Sequence, residues 1–93
     1  MATKKQAPVR IDRLTPPGEL LAEELAERGI TQTALAKQMG RPLQAINSIV
    51  LGKKAITAET ALQLEAALNI PAEWWMNLEK SYQLAKARAK LAP

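Results

Sequence analysis

Between Gln32 and Leu51 the chain carries amides and a hydroxyl where a solvated helix would ordinarily carry opposed charges. Gln44, Asn47 and Ser48 fall on one side of a short helical stretch, and Leu43 and Ala45 add small apolar surface beside them. A face that only meets water tends towards Glu and Lys at i, i+4 spacing. Amides and hydroxyls are the groups that read base edges, for example Gln or Asn bidentate to adenine. Donors suited to phosphate flank this face: Gln32, Arg41, Lys53 and Lys54, with Pro42 at the junction between them. Gln32 also stands at a predicted helix start, where backbone N–H groups point outward. From Gln32 to Ala58 there is no Asp or Glu. The chemistry on offer is duplex DNA recognition, with phosphate contacts fixing register and the amide face choosing sequence.

Such a face must be held by two short helices meeting steeply across a turn of three or four residues. Three sites are sterically demanding. A small residue is needed where the helices cross, glycine suits the left-handed turn, and branched aliphatics must lock the second helix onto the core. Ala36, Gly40, and Ile46 with Ile49 fill these places. The same spacing fits two bundle helices that happen to meet at a glycine. A helical protein-interaction module that never touches DNA would be supported if Gln44 and Asn47 were buried.

The rest of the chain reads as helix, so the fold class is all-α: a compact five-helix bundle containing a helix-turn-helix. Ala, Leu, Glu, Lys and Gln dominate and Phe is absent. Thr15-Pro16-Pro17-Gly18 opens a first helix, with Thr15 as its cap, Leu21 and Leu25 inside and Gly29 at its end. Thr31 caps a second over Gln32–Met39, stopped by Gly40. A third starts at Pro42 as N1, runs to Val50 or Leu51 and ends before Gly52. Thr57 caps a fourth with Ala61, Leu64 and Leu68 inside and Leu62 beside them. Pro71 opens the fifth and longest, extending to about residue 90. Residues 1–14, with Lys4, Lys5, Arg10 and Arg13, read as a basic arm, ordered at most near Val9 to Leu14. Residues 15–93 read as a single domain.

With 93 residues the chain has room for one small core. It has no Cys and no His, so disulfides are excluded and the usual zinc ligand sets are missing. Self-association is the remaining route to more buried area. No apolar run approaches the roughly 20 residues that span a bilayer, and the start lacks a signal-peptide pattern, so a cytoplasmic protein is expected. Thirteen Lys and Arg against nine Asp and Glu give a net charge of +4. Four of the acids, Glu19, Glu23, Glu24 and Glu27, sit together on the first helix, away from the acid-free stretch. There is no phosphate-binding glycine loop and no catalytic constellation, so neither an enzyme nor a cofactor is expected.

The segments Gln32-x3-Ala36-x3-Gly40 and Ile46-x2-Ile49-x2-Gly52-Lys53 resemble the phage-repressor-like class of helix-turn-helix proteins. Further segments extend the match. Pro17-Gly18-Glu19-Leu20-Leu21, Ala55-Ile56-Thr57, Thr60-Ala61-Leu62-x-Leu64 and Pro71-Ala72-Glu73-Trp74-Trp75-Met76-Asn77-Leu78 are similar to HigA-type antitoxins of bacterial toxin–antitoxin modules. The likeness spans roughly residues 16 to 85. It implies a lambda-repressor-like fold and a homodimer that represses its own operon at a palindromic operator. It also implies neutralisation of a small toxin that cleaves mRNA on the ribosome. By position, Gln32 would contact phosphate, Gln44, Asn47 and Ser48 would lie in the major groove, and Lys53 would bind the backbone after the recognition helix. Leu43 departs from the polar residue often found there, and a thymine methyl would suit it. The alternative is a stand-alone transcriptional regulator without a toxin.

Three other features invite sharper readings. Trp74, Trp75, Leu78 and Tyr82 suggest a dimer interface, but adjacent helical residues point about 100° apart, so one tryptophan should be core and the other interfacial or half-exposed. Glu19 and Glu23 lie four apart like paired acids, yet nothing nearby would bury them, and they read as a solvated face. Lys86, Arg88 and Lys90 suggest a membrane-surface helix, but the opposite face is mainly alanine, so they read as a frayed, soluble helix end.

Overall fold

The computed structural model describes residues 15–92, and the basic arm of residues 1–14 lies outside the described residues. Five helices follow in order: α1 Pro17–Arg28, α2 Gln32–Met39, α3 Leu43–Val50, α4 Ala58–Leu68 and α5 Ala72–Leu91. There is no strand among the described residues. No helix among them is long and apolar enough to cross a membrane.

Local chemistry explains most of the boundaries. The Thr31 hydroxyl accepts from the Ala34 backbone N–H at 3.0 Å and the Thr57 hydroxyl accepts from that of Thr60 at 3.2 Å, so both are the expected N-caps. Gly40 closes α2 with φ 68°, a left-handed value that costs glycine little, and the next N–H, from Arg41, reaches the Ala36 carbonyl at 2.9 Å.

Two starts differ from expectation. Thr15 does not cap α1: the N-cap residue is Pro16, extended at ψ 147°, with no side-chain cap. A residue before proline is pushed towards extended backbone, so Pro17 places the helix start at itself. Neither proline has an N–H that needs capping. Pro42 is likewise the N-cap of α3, extended at ψ 149°, and Leu43 takes the N1 place.

The core is one cluster drawn from all five helices. Leu21 and Leu25 of α1, Leu35, Ala36 and Met39 of α2, and Ile46 and Ile49 of α3 meet Ala61, Leu64 and Leu68 of α4 and Trp75 of α5. Ile56, from the loop before α4, is buried among them. Leu62 is not: at 59% exposed it sits well off the inner line, whose fourth member is the buried Thr60. Trp75 is fully buried whereas Trp74 is 43% exposed, the division expected for neighbours on a helix.

α1 packs on both α3 and α5. Its first turn lies so close to the end of α3 that a Cβ on Gly18 would stand 1.9 Å from the Ile49 carbonyl oxygen. Only a residue without a side chain fits there.

Candidate nucleic-acid interface

The motif helices α2 and α3 are held by the residues that the spacing pointed to. Ala36 is buried at their crossing, Gly40 makes the turn, and Ile46 and Ile49 point into the core. With those two fixed inward, the other side of α3 faces solvent. Leu43 is 48% exposed, Gln44 and Asn47 are exposed, and Ser48 is half-buried. The condition that would have favoured a DNA-free interaction module is therefore not met.

Several candidate residues are physically connected. Half-buried Gln32 at the start of α2 accepts a hydrogen bond, through Oε1, from Asn47 Nδ2 at 3.2 Å. The Ser48 carbonyl accepts from the backbone N–H groups of Lys53 at 2.9 Å and Lys54 at 3.2 Å. Gly52, at φ 78°, allows the chain to fold back this way. Both lysine side chains are exposed. Arg41 is half-buried, and its Nε donates to Gln63 Oε1 on α4, leaving other guanidinium N–H groups available. Pro42 is exposed at the N-cap of α3. An exposed amide face is thus rimmed by cations, over a stretch of chain with no acid.

The four candidates on α5 separate. Trp75 belongs to the core and offers no surface. Trp74 is exposed, and Leu78 and Tyr82 are half-buried, one and two turns on along the same side.

Three supporting residues were not singled out from sequence. Gln63 holds Arg41, and Gly18 admits α1 against α3. Glu79, only 7% exposed, accepts from the Ile56 backbone N–H at 3.0 Å and from Gln83 Nε2 at 2.6 Å. It thereby ties the loop that follows α3 to α5. Sequence did hold signals: a glycine within a helical turn marks close approach, and an acid four residues after a core tryptophan lies on the core side.

Comparison with known proteins adds to this geometry. Residues 21–75 match the helix-turn-helix family HTH_3. The chain is 40% identical over 72 residues to virulence-associated protein I of Dichelobacter nodosus, taking in 76% of this chain and 67% of that protein. It is 34% identical over 89 residues to antitoxin HigA-1 of Vibrio cholerae, taking in 95% of this chain and 78% of the relative. In three dimensions it is similar to antitoxin HigA of Pseudomonas aeruginosa, solved with the higBA promoter. There the TM-score is 0.80 and the identity 37%, with 84% of this chain and 86% of the other covered.

Proposed function

The chain belongs to the HTH_3 helix-turn-helix family, and from that premise we propose that it is a sequence-specific DNA-binding repressor and antitoxin. The observation that carries this reading is the division of α3 into two faces. Ile46 and Ile49 are buried, while Gln44 and Asn47 are exposed beside a rim of Arg41, Lys53 and Lys54. The structural likeness to a HigA antitoxin solved with its promoter supports placing α3 in a major groove.

In this reading Gln44, Asn47 and Ser48 meet base edges and Leu43 packs on a thymine methyl. Gln32, Arg41, Lys53 and Lys54 hold phosphates, and Pro42 turns the chain between the two sets. One recognition helix reads only a few base pairs. A two-fold dimer would set two of them about 34–36 Å apart on successive major grooves of a palindromic operator. The exposed side of α5 carrying Trp74, Leu78 and Tyr82, backed by Trp75, is the proposed dimer face. The antitoxin role assigns a second partner, a small mRNA-cleaving toxin, and a cytoplasmic site of action. Residues 1–14 would then be a basic arm on a single DNA-binding domain.

The test is binding to the DNA just upstream of the protein's own gene, titrated against salt beside a scrambled duplex. Tight, sequence-dependent binding at two protomers per site supports the repressor. Equal, weak binding to both duplexes rejects it. Co-expression with a toxin-sized reading frame, where one adjoins the gene, separates an antitoxin from a stand-alone regulator, because only an antitoxin rescues growth.

A further inference from the structure

We propose that the cleft between the start of α1, the Lys53–Ile56 loop and α5 binds a DNA backbone phosphate, with Lys86 as a recognition group. This deepens the DNA-binding reading and rests on it. The cleft has a volume of about 230 Å³, and Lys53, Lys54 and Lys86 all line it.

The position of Lys86 is the first argument. Trp75 and Glu79 mark the buried side of α5, and Lys86 lies seven residues, about two turns, beyond Glu79 on the same line. It therefore projects towards α1 and the loop, whereas Arg88, two residues on and roughly 200° round the helix, points away. Its ammonium lies 4.9 Å from the centre of the Tyr82 ring, a contact that restrains the side chain.

Charge is the second. Among the described residues none of the three lysines forms an ion pair. The one carboxylate in the cleft, Glu79, has both oxygens engaged, by the Ile56 N–H and by Gln83. Three lysines thus line a concave site with one buried, fully occupied carboxylate, and their net positive charge favours an anion there.

The third argument selects the source of that anion. The Lys53 and Lys54 backbone groups are bonded to Ser48 of α3, so the cleft is fixed to the recognition helix itself. A backbone phosphate flanking the groove that α3 enters is the anion this placement fits.

Salt titrations of the full chain on the upstream and scrambled duplexes test the idea. Lys86→Met should weaken both duplexes about threefold to tenfold at low salt and make the salt slope shallower by about one. Lys86→Arg should keep the wild-type slope, and so should Arg88→Met, which removes the same charge from the opposite side. A Lys86→Met slope equal to wild type, or an equal loss in Arg88→Met, overturns the assignment while leaving DNA binding intact. Wild-type protein that binds neither duplex removes the DNA reading and this extension with it. Inorganic phosphate that shifts the Lys53–Ile56 amide resonances while Lys86→Met leaves the slope unchanged would make the cleft a free-anion site and equally overturn the proposal.

Discussion

Asn47 Nδ2 donates to Gln32 Oε1 at 3.2 Å, so α3 and the helix before it are joined by two side chains to which the proposed function gives a part in DNA binding. The bond leaves Gln32 its Nε2 protons for an outside acceptor, and leaves Asn47 its Oδ1 and one N–H. Each amide is thus oriented by the other. In the proposed complex Asn47 would both meet the groove and steady Gln32 against a phosphate.

The pair should act as a unit. Gln32→Ala and Asn47→Ala are each expected to weaken operator binding, and the double variant should lose less than their sum. The expected coupling is about 0.5–1 kcal/mol. Fluorescence anisotropy on the upstream duplex measures all four corners of the cycle; strict additivity would mean that the bond plays no part in the complex.

Base reading and phosphate holding should separate by variant. Gln44→Ala should change which base is preferred at one operator position, while Lys53→Ala should weaken all duplexes alike and lower the salt slope by about one. A panel of single-base operator variants distinguishes them. Uniform weakening by Gln44→Ala would remove it from the reading face.

Gly18→Ala should be the most damaging glycine substitution. Its Cβ would meet backbone at 1.9 Å, where nothing flexible can yield. Urea unfolding should show a loss of about 2–3 kcal/mol. Gly40→Ala meets no atom within 4 Å and pays only for its left-handed backbone, about 1–2 kcal/mol. The reverse order would show that α1 can move away from α3.

Glu79 should matter through the Ile56 N–H that it satisfies. Glu79→Leu leaves that donor unpaired and should cost about 1–3 kcal/mol. Glu79→Gln keeps an acceptor and should recover much of the loss. Equal destabilisation by the two variants, measured by thermal unfolding, would point to the carboxylate charge instead.

The two tryptophans should fail differently. Trp75→Ala empties a fully buried site and should cost about 3–5 kcal/mol. Trp74→Ala should leave the fold intact and shift sedimentation from dimer towards monomer. A Trp74→Ala variant that stays dimeric would place the interface elsewhere.

How much of this was legible beforehand depended on distance along the chain. Thr31, Gly40 and Thr57 act on neighbours within a few residues, and their roles were written in local order. Ile46 and Ile49 declared themselves by helical period. Thr15 was misplaced because the Pro16-Pro17 pair imposes its own start on the helix. The groups that stayed hidden reach across the fold: Gly18 to Ile49, Glu79 to Ile56, and Gln63 to Arg41. No periodicity announces which loop a buried carboxylate will meet. The exposure of Gln44 and Asn47 followed from helical period, but the bond between Gln32 and Asn47 depends on how the helices cross.

The two faces of α3 share no residue. Ile46, Ile49 and the backbone seated against Gly18 anchor the helix, whereas Leu43, Gln44 and Asn47 are exposed and absent from the core. Substitutions at the exposed positions can therefore accumulate without a toll on folding. Where the proposed function holds, a lineage of such proteins could drift from one operator to another in single steps, and an engineer could re-target this scaffold by rewriting its exposed face alone.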